Sequence, residues 1–256
     1  MAQKEMAWPR QPDDRQWIKP EGDDPRTLYQ MLKVSQDRFG EDLCFGYIPR
    51  YGGERMHLTY NEFGELSTSV AKGLRDIGVE KGDRVAIILD NSVEWAALSY
   101  GANALGAAYT AMYTHQHGDD WAYILKDATP KVVAVANTEV LDKLCGALDA
   151  DSWPSSGVIL IGDEPPNEIP PEGIEVRSWS DLVSAGRSGE DLKEIADDPT
   201  ALSTLIYTSG TTGNPKGVML SNWNTLSNVL CVQGVVAVYP GAQNAAFLPG
   251  AHSGGS

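Results

Sequence analysis

Cysteine is scarce in this chain of 256 residues, which has only Cys44, Cys145 and Cys231. The three lie far apart and form no CxxC pair, so the sequence offers neither a disulfide framework nor the paired spacing of a zinc site. Isolated thiols in odd number fit a reducing, intracellular compartment. We expect them to be buried apolar side chains rather than catalytic nucleophiles.

Positive charge is also in short supply. Twenty Lys and Arg residues face 35 Asp and Glu residues, which gives a net charge of −15. Proteins that bind nucleic acid use clustered Lys and Arg to neutralise phosphates, so this balance excludes nucleic acid as the main partner. The acidic residues are spread along the chain, as is typical of a solvated surface.

Long apolar runs are missing as well. The longest, Val229 to Tyr239, is interrupted by Gln233 and Gly234, and it is far shorter than the ~20 residues that a membrane helix needs. The polar N-terminus lacks the apolar stretch of a secretory signal. We therefore predict no transmembrane segment and an intracellular location, cytoplasmic or peripheral on an organelle membrane. The sequence leaves peripheral membrane association open.

The composition that remains, 42% hydrophobic and 21% charged, is that of an ordinary globular domain. Residues 1–26, rich in Pro, Asp and Arg, are predicted to be an irregular lead-in to a domain over 27–256. Within that domain helix-like and strand-like segments alternate, which predicts parallel strand pairing in a layered α/β fold. Helices are predicted at 61–77, 92–107, 121–125, 140–148 and 180–185, and strands at 85–89, 108–112, 132–136, 158–161, 174–176 and 202–207.

One helix has clear end signals. Thr59 and Glu62 have the spacing of a capping box before the helix at 61–77, and Gly78 follows its last apolar residue, where a left-handed cap is expected. The strand at 85–89 is continuously apolar, which is typical of a strand buried on both faces.

The strand at 202–207 opens into a segment rich in glycine and hydroxyl groups, Thr208-Ser209-Gly210-Thr211-Thr212-Gly213-Asn214-Pro215-Lys216-Gly217. Glycines let the backbone approach a ligand closely, while hydroxyls and free backbone N–H groups donate to phosphate oxygens. Lys216 adds a positive charge. The segment predicts a loop around the β- and γ-phosphates of a nucleotide, followed by a helix from Asn222 with Ser221 as its N-cap.

The phosphate loop of kinases and GTPases is the obvious rival. That motif needs a second Gly where this chain has Pro215, and a Ser or Thr where it has Gly217. The loop also lacks the dinucleotide pattern GxGxxG, and no GxSxG nucleophile elbow occurs. The pattern alone leaves open a surface loop that binds nothing.

The string YTSGTTGNPKGVMLS resembles the phosphate-binding signature of the adenylate-forming enzymes, which include acyl-CoA synthetases, luciferases and the adenylation domains of peptide synthetases. The similarity extends over 58–62, 82–86 and 91–95. Met112-Tyr113 together with 120–125 is most similar to the long-chain fatty acyl-CoA synthetase branch. Phe247 to His252 resembles the next family motif.

This resemblance implies the N-terminal part of a large layered domain with a mostly parallel sheet flanked by helices. It implies a ligase that converts a medium- to long-chain fatty acid, ATP and coenzyme A to acyl-CoA, AMP and pyrophosphate through an acyl-adenylate, with Mg²⁺ as cofactor. By the same resemblance His252 borders the substrate pocket, and the nucleotide-binding residues are Thr208, Ser209, Gly210, Thr211, Thr212, Gly213 and Lys216.

The chain departs from the family pattern in places. Asn222 stands where many relatives have His, and Gly250 replaces a bulky residue. Nothing matches the later motifs for adenine, magnesium, ribose and the catalytic lysine of the lid domain. The resemblance therefore implies an incomplete enzyme, with no catalytic residue or metal ligand assigned here and no thioester formation by the chain alone. The alternatives are an amino-acid adenylation domain, a non-catalytic nucleotide-binding fragment and a phosphotransferase.

Overall fold

The computed structural model describes residues 25–48, 53–162, 166–208 and 215–235. A short 3-10 helix covers Ala150–Ser152. The remaining elements follow in chain order: α1 (Leu28–Phe39), β1 (Leu43–Tyr47), β2 (Met56–Thr59), α2 (Tyr60–Asp76), β3 (Arg84–Ile88), α3 (Val93–Ala104), β4 (Ala108–Met112), α4 (Gly118–Ala128), β5 (Val132–Val135), α5 (Thr138–Ala147), β6 (Val158–Leu160), β7 (Val176–Ser178), α6 (Trp179–Ser188), β8 (Leu202–Thr208), β9 (Lys216–Ser221) and α7 (Asn222–Val235).

A seven-stranded sheet with the order β7-β6-β5-β3-β4-β8-β9 forms the centre of the described structure. Its strands pair in parallel except for β9, which is antiparallel to β8. Strands β1 and β2 form a separate antiparallel hairpin. The predicted α/β fold with a mostly parallel sheet flanked by helices is confirmed.

Helices cover the sheet in two layers. Helices α1, α2, α3 and α6 pack against one another, and α4 packs against α5. The chain moves from β3 to β4 in one direction and from β4 back past β3 to β5 in the other. Because such parallel crossovers are right-handed, α3 and α4 lie on opposite faces. The central strand β3 is accordingly buried on both faces, with Val85 to Ile88 fully inaccessible, as its apolar run predicts.

Both ends of α2 have the predicted caps. Thr59 Oγ1 accepts a hydrogen bond from the Glu62 amide at 3.2 Å, and the Glu62 carboxylate accepts one from the Thr59 amide at 2.8 Å. At the other end Gly78 has a φ of +90°, and its amide donates to the Arg75 carbonyl at 2.8 Å. Both groups of bonds use backbone groups that a helix end leaves unpaired.

A buried polar contact attaches β8 to the rest of the domain. Asn103, near the end of α3, donates through Nδ2 to the Ser203 carbonyl at 3.2 Å, and Ser203 Oγ donates to Asn103 Oδ1 at 2.7 Å. Both residues are almost fully buried. Because buried polar groups are costly unless they are paired, this contact specifies where β8 starts beside β4.

Four parts of the described structure have no counterpart in the sequence-based prediction: α1, the β1–β2 hairpin, the 3-10 helix Ala150–Ser152 and β9. Thr27 caps α1, since its hydroxyl accepts from the Gln30 amide at 3.2 Å. The proposed irregular segment 1–26 lies almost wholly outside the described residues. The expectation of buried cysteines is wrong for Cys231, which is exposed, while Cys44 and Cys145 are half-buried.

Gly78 and Gly146 offer a matched pair of glycine-to-alanine substitutions. The left-handed conformation of Gly78 costs an alanine roughly 1–2 kcal/mol, whereas Gly146 lies in α5, where an added Cβ meets nothing within 4 Å. We expect Gly78→Ala to lower the free energy of unfolding by about 1 kcal/mol and Gly146→Ala to raise it by about 0.5 kcal/mol. Urea denaturation measures both; shifts of the same sign would contradict the assignment of Gly78 as a left-handed cap.

The cysteines should differ in their reactivity toward iodoacetamide at pH 8. Burial raises the pKa of the Cys44 thiol to about 12, and burial together with the charge of Asp142 raises the pKa of Cys145. Because the thiolate is the nucleophile, exposed Cys231 should be alkylated first, with Cys44 roughly a hundredfold slower. Peptide mass spectrometry measures each rate, and Cys231→Ser should remove the fast phase. Equal rates for the folded protein would refute the described burial.

Candidate functional site

The predicted phosphate loop connects β8 to β9. Strand β8 ends at Thr208 and β9 begins at Lys216, and the antiparallel register makes these two residues direct partners. The structure therefore brings together the first and last of the predicted nucleotide-binding residues at the base of the loop. Ser209, Gly210, Thr211, Thr212 and Gly213, and also His252, lie outside the described residues.

Thr208 and Lys216 are both exposed. Direct cross-strand partners project their side chains from the same face of a sheet, so a hydroxyl and an ammonium group lie side by side. Within the part of the chain that the structure describes, Lys216 forms no ion pair. Its charge is thus available to an anion at the base of the loop.

The loop leaves the sheet at the edge where the parallel strands have their carboxyl ends. The connections that follow β3 and β4 run in opposite directions, which makes a topological switch point one strand away from β8. Thr114, after β4, donates to Asp90, after β3, at 2.6 Å, and this bond joins the two connections. Open α/β sheets bind ligands at this edge, near such a switch point.

Tyr207, one residue before Thr208, connects β8 to α4. Its hydroxyl donates to Asp127 Oδ2 at 2.5 Å. Burial, then the hydrogen bond and charge of Asp127, raise the pKa of Tyr207 above its ordinary value. The hydroxyl, which is protonated at neutral pH in any tyrosine, therefore remains a donor at still higher pH.

Helix α7 begins directly after β9, and its first turn is well anchored. Ser221 Oγ accepts from the Asn224 amide at 3.2 Å and Asn224 Oδ1 accepts from the Ser221 amide at 2.9 Å, which confirms Ser221 as the N-cap. Asn222, the residue that departs from the family's His, is buried and donates to the Asp198 carbonyl at 3.2 Å. It fastens α7 to the turn that precedes β8.

The described ranges contain neither a grouped set of metal ligands nor a membrane-spanning helix. In those ranges no three His, Cys, Asp or Glu residues are grouped as a metal site would require. None of the described helices combines the length and the apolar character needed to cross a bilayer.

A parallel α/β sheet with a glycine- and hydroxyl-rich loop at its carboxyl edge is the architecture of α/β proteins that bind nucleotides. The sequence pattern of the family described as AMP-binding enzyme matches residues 33–256. This chain belongs to that family of AMP-binding enzymes.

Its relatives include long-chain-fatty-acid–CoA ligases. The chain is 31% identical over 208 residues to long-chain-fatty-acid–CoA ligase ACSBG1 of Bos taurus, and the match covers 78% of this chain and 27% of that relative. The corresponding enzyme of Rattus norvegicus is 31% identical over 230 residues, a match that covers 87% of this chain and 31% of that relative. The chain thus spans less than a third of the length of these relatives.

The fold is that of adenylate-forming enzymes. The solved structure of the Mycobacterium tuberculosis fatty acyl CoA synthetase matches with a TM-score of 0.59 at 24% identity, over 78% of this chain and 36% of that chain. At this identity the likeness shows the fold and does not extend to the substrate.

Sequence reasoning missed Asp127, which lies 80 positions from Tyr207. No spacing rule connects a residue in the last turn of one helix with a strand so distant in the chain. Tyr207 itself lies inside the recognised string, but its partner became visible only when the sheet order was known.

Proposed function

We propose that this chain binds the polyphosphate of MgATP through the loop from Thr208 to Lys216, as part of an acyl-CoA synthetase that activates a fatty acid. The observation that carries the proposal is the direct pairing of Thr208 with Lys216 at the carboxyl edge of a parallel sheet. Membership of the AMP-binding family supports the same chemistry.

The reaction has an electrostatic difficulty that this loop would relieve. A carboxylate oxygen attacks the α-phosphorus of ATP, the bond to the β-phosphate oxygen breaks, and pyrophosphate leaves. Attacker and target are both anions, so donors and positive charge must offset their repulsion and orient the leaving group. Lys216 would supply charge, and the hydroxyls of Thr208, Ser209, Thr211 and Thr212 would supply donors.

In the second step the thiol sulfur of coenzyme A attacks the acyl carbon of the adenylate. The thioester bond forms, the bond between the acyl carbon and the phosphate oxygen breaks, and AMP departs while the thiol proton passes to solvent. No residue of this chain is assigned to that step. We therefore expect the isolated chain to bind nucleotide without forming acyl-CoA.

Mg²⁺ would reach the loop as an ion carried by the nucleotide. It prefers oxygen ligands, keeps several waters and is commonly held by substrate phosphates with few protein groups. The Thr208 hydroxyl is the described oxygen at the base of the loop, and the described residues contain no acidic cluster there. The bound ion would neutralise part of the polyphosphate charge, and Lys216 would add to this effect.

A medium- to long-chain fatty acid is the proposed carboxylate, with His252 bordering its pocket. The names of the relatives, long-chain-fatty-acid–CoA ligases, support it. Most of the residues that carry the branch resemblance belong to the apolar core. Met112 and Trp121 are buried in the core, and Trp121 Nε1 donates to the Tyr113 carbonyl at 3.0 Å. Those residues support the fold, so the substrate proposal rests on the relatives.

Amino-acid adenylation is the second candidate. VinN, solved in complex with L-aspartate, shares this fold with a TM-score of 0.66 at 20% identity, over 83% of this chain and 48% of that chain. The same fold therefore occurs in a protein that binds an amino acid, and a direct comparison of carboxylates separates the two candidates.

Replacement of Lys216 tests the nucleotide site. Lys216→Ala should weaken the binding of MgATP to this chain roughly ten- to hundredfold, because a charged hydrogen bond to phosphate is lost. Isothermal titration calorimetry measures the dissociation constant. The matched control is Lys143→Ala in α5, where the lysine forms an exposed ion pair with Glu139 at 2.7 Å, and its affinity should be unchanged. Equal affinities for both variants would argue against a role of Lys216 in binding.

The carboxylate is identified by ATP–pyrophosphate exchange, measured on the protein purified from its natural source. Fatty acids of medium to long chain should support exchange, and free amino acids should not. Exchange with amino acids alone would overturn the fatty-acid proposal. A phosphorylated product without AMP would instead indicate a phosphotransferase. Acyl-CoA made by the isolated 256-residue chain would contradict the expectation that these residues alone cannot complete the reaction.

A further inference from the structure

A hydrogen bond attaches the carboxyl end of β8 to α4, which belongs to the helical layer on the other face of the sheet from α3. The bond lies next to the start of the loop. Tyr207 is the last residue before Thr208, and its hydroxyl donates to Asp127 Oδ2 at 2.5 Å. Asp127 lies in the last turn of α4, on the face of the sheet away from α3. The bond thus holds the carboxyl end of β8 on the α4 face of the sheet, one residue before Thr208.

The ring of Tyr207 also lies against β9, the antiparallel neighbour of β8. Gly217 is the register partner of Tyr207, and a Cβ placed on Gly217 would lie 3.1 Å from the ring carbon Cζ and 3.3 Å from the hydroxyl oxygen. Gly217 is not among the glycines with a positive φ. A side chain at this position would require the ring to shift by a few tenths of an ångström, so glycine accommodates the observed ring position best.

This contact restricts the register of β9. Among the described strands, β9 pairs with β8 alone and forms the edge of the sheet, so its register depends on one neighbour. A slip by one residue would place Lys216 or Val218 opposite Tyr207, and the Cβ of either would meet the ring. The slip would also turn every side chain of β9 to the other face. The ring over Gly217 therefore disfavours the neighbouring registers.

The surroundings of Tyr207 keep its hydroxyl in the donating form. Asp127 and Tyr123, both from α4, raise the pKa of Tyr207 in addition to burial, and Arg84 from β3 acts in the opposite direction. Arg84 is itself occupied, since it donates to the Ala128 carbonyl at 2.8 Å. The bond from Tyr207 to Asp127 thus has no competing cation in direct contact with the carboxylate among the described residues.

We propose that Tyr207 and Asp127 are positioning residues that lock the base of the loop, so that Thr208 and Lys216 stay paired and meet the phosphates together. Neither residue touches the nucleotide. They act by fixing the register between β8 and β9. Gly217 contributes because its missing side chain leaves room for the Tyr207 ring. This inference rests on the proposed function, because the ligand is the MgATP of the same loop.

Four substitutions separate a positioning role from a merely structural one. Tyr207→Phe removes the hydroxyl and Asp127→Ala removes the acceptor, and each should weaken MgATP binding roughly three- to tenfold, as the loss of one hydrogen bond predicts. Asp127→Asn keeps an acceptor oxygen and should bind like the wild type. Gly217→Ala displaces the ring and should weaken binding at least as much as Tyr207→Phe.

The matched control is Tyr123→Phe. It removes a hydroxyl from the same helix as Asp127, and the described residues give that hydroxyl no hydrogen bond. Calorimetry with MgATP and with inorganic tripolyphosphate measures affinity, and urea unfolding measures stability in parallel. A structural role alone would change stability without affecting affinity. Amide hydrogen exchange of residues 216–221, measured without ligand, should rise in Tyr207→Phe and remain unchanged in Tyr123→Phe.

The outcomes distinguish the two proposals. If the wild-type chain binds neither MgATP nor tripolyphosphate, the proposed function fails and the positioning role fails with it. If the wild type binds, and Lys216→Ala weakens binding while Tyr207→Phe does not, the loop binds phosphate but the positioning role is overturned. Weakening by Tyr207→Phe and Asp127→Ala, with recovery in Asp127→Asn, is the expected result.

Discussion

Burial of β3 between two helical layers is the constraint on which the direction of its neighbouring strands and the path of their connections depend. A strand with no exposed face must satisfy its backbone groups through neighbours on both sides, which here are β4 and β5, both parallel to it. Parallel neighbours require crossovers through helices, and these are right-handed. The connections after β3, β4 and β8 consequently leave the sheet at one common edge. Because of this shared edge, the carboxyl end of β8 at Thr208 lies on the same side of the sheet as the connections that follow β3 and β4.

Strand β8 is held at both ends by polar contacts of different kinds. At its start Ser203 and Asn103 share a buried pair of hydrogen bonds, which are costly to break because neither group can reach water. At its end Tyr207 donates to Asp127 in a more exposed setting, where a hydrogen bond contributes less. The strand is therefore anchored firmly where it enters the core and more weakly where it approaches the candidate site. The weaker end is where a change of one hydrogen bond can affect a ligand.

The sequence was most informative where a single element carried its own signals. The capping box of Thr59 and Glu62, the glycine at 78 and the apolar run of β3 all depend on neighbours within a few positions, and all are confirmed. Strand β9 was missed because Val218 and Met219 are exposed and the strand shows no alternation. For the site, recognition of the string predicted Thr208 and Lys216, and only the antiparallel register showed them to be partners. Asp127 was beyond reach, since its role depends on a contact across 80 positions.

The pairing of β8 with β4 has a consequence for the order of folding. Strands β3 to β7 lie within residues 84–178 and each connects to the others through short crossovers, whereas β8 must return across the sheet and joins Asn103 over a separation of 100 residues. Contacts so distant in sequence close slowly, because the intervening chain must first lose its entropy. During synthesis residues 84–178, which contain β3 to β7, are made before residues 202–221. We therefore expect the strand that carries the candidate site to pair with the sheet after β3 to β7 have become available.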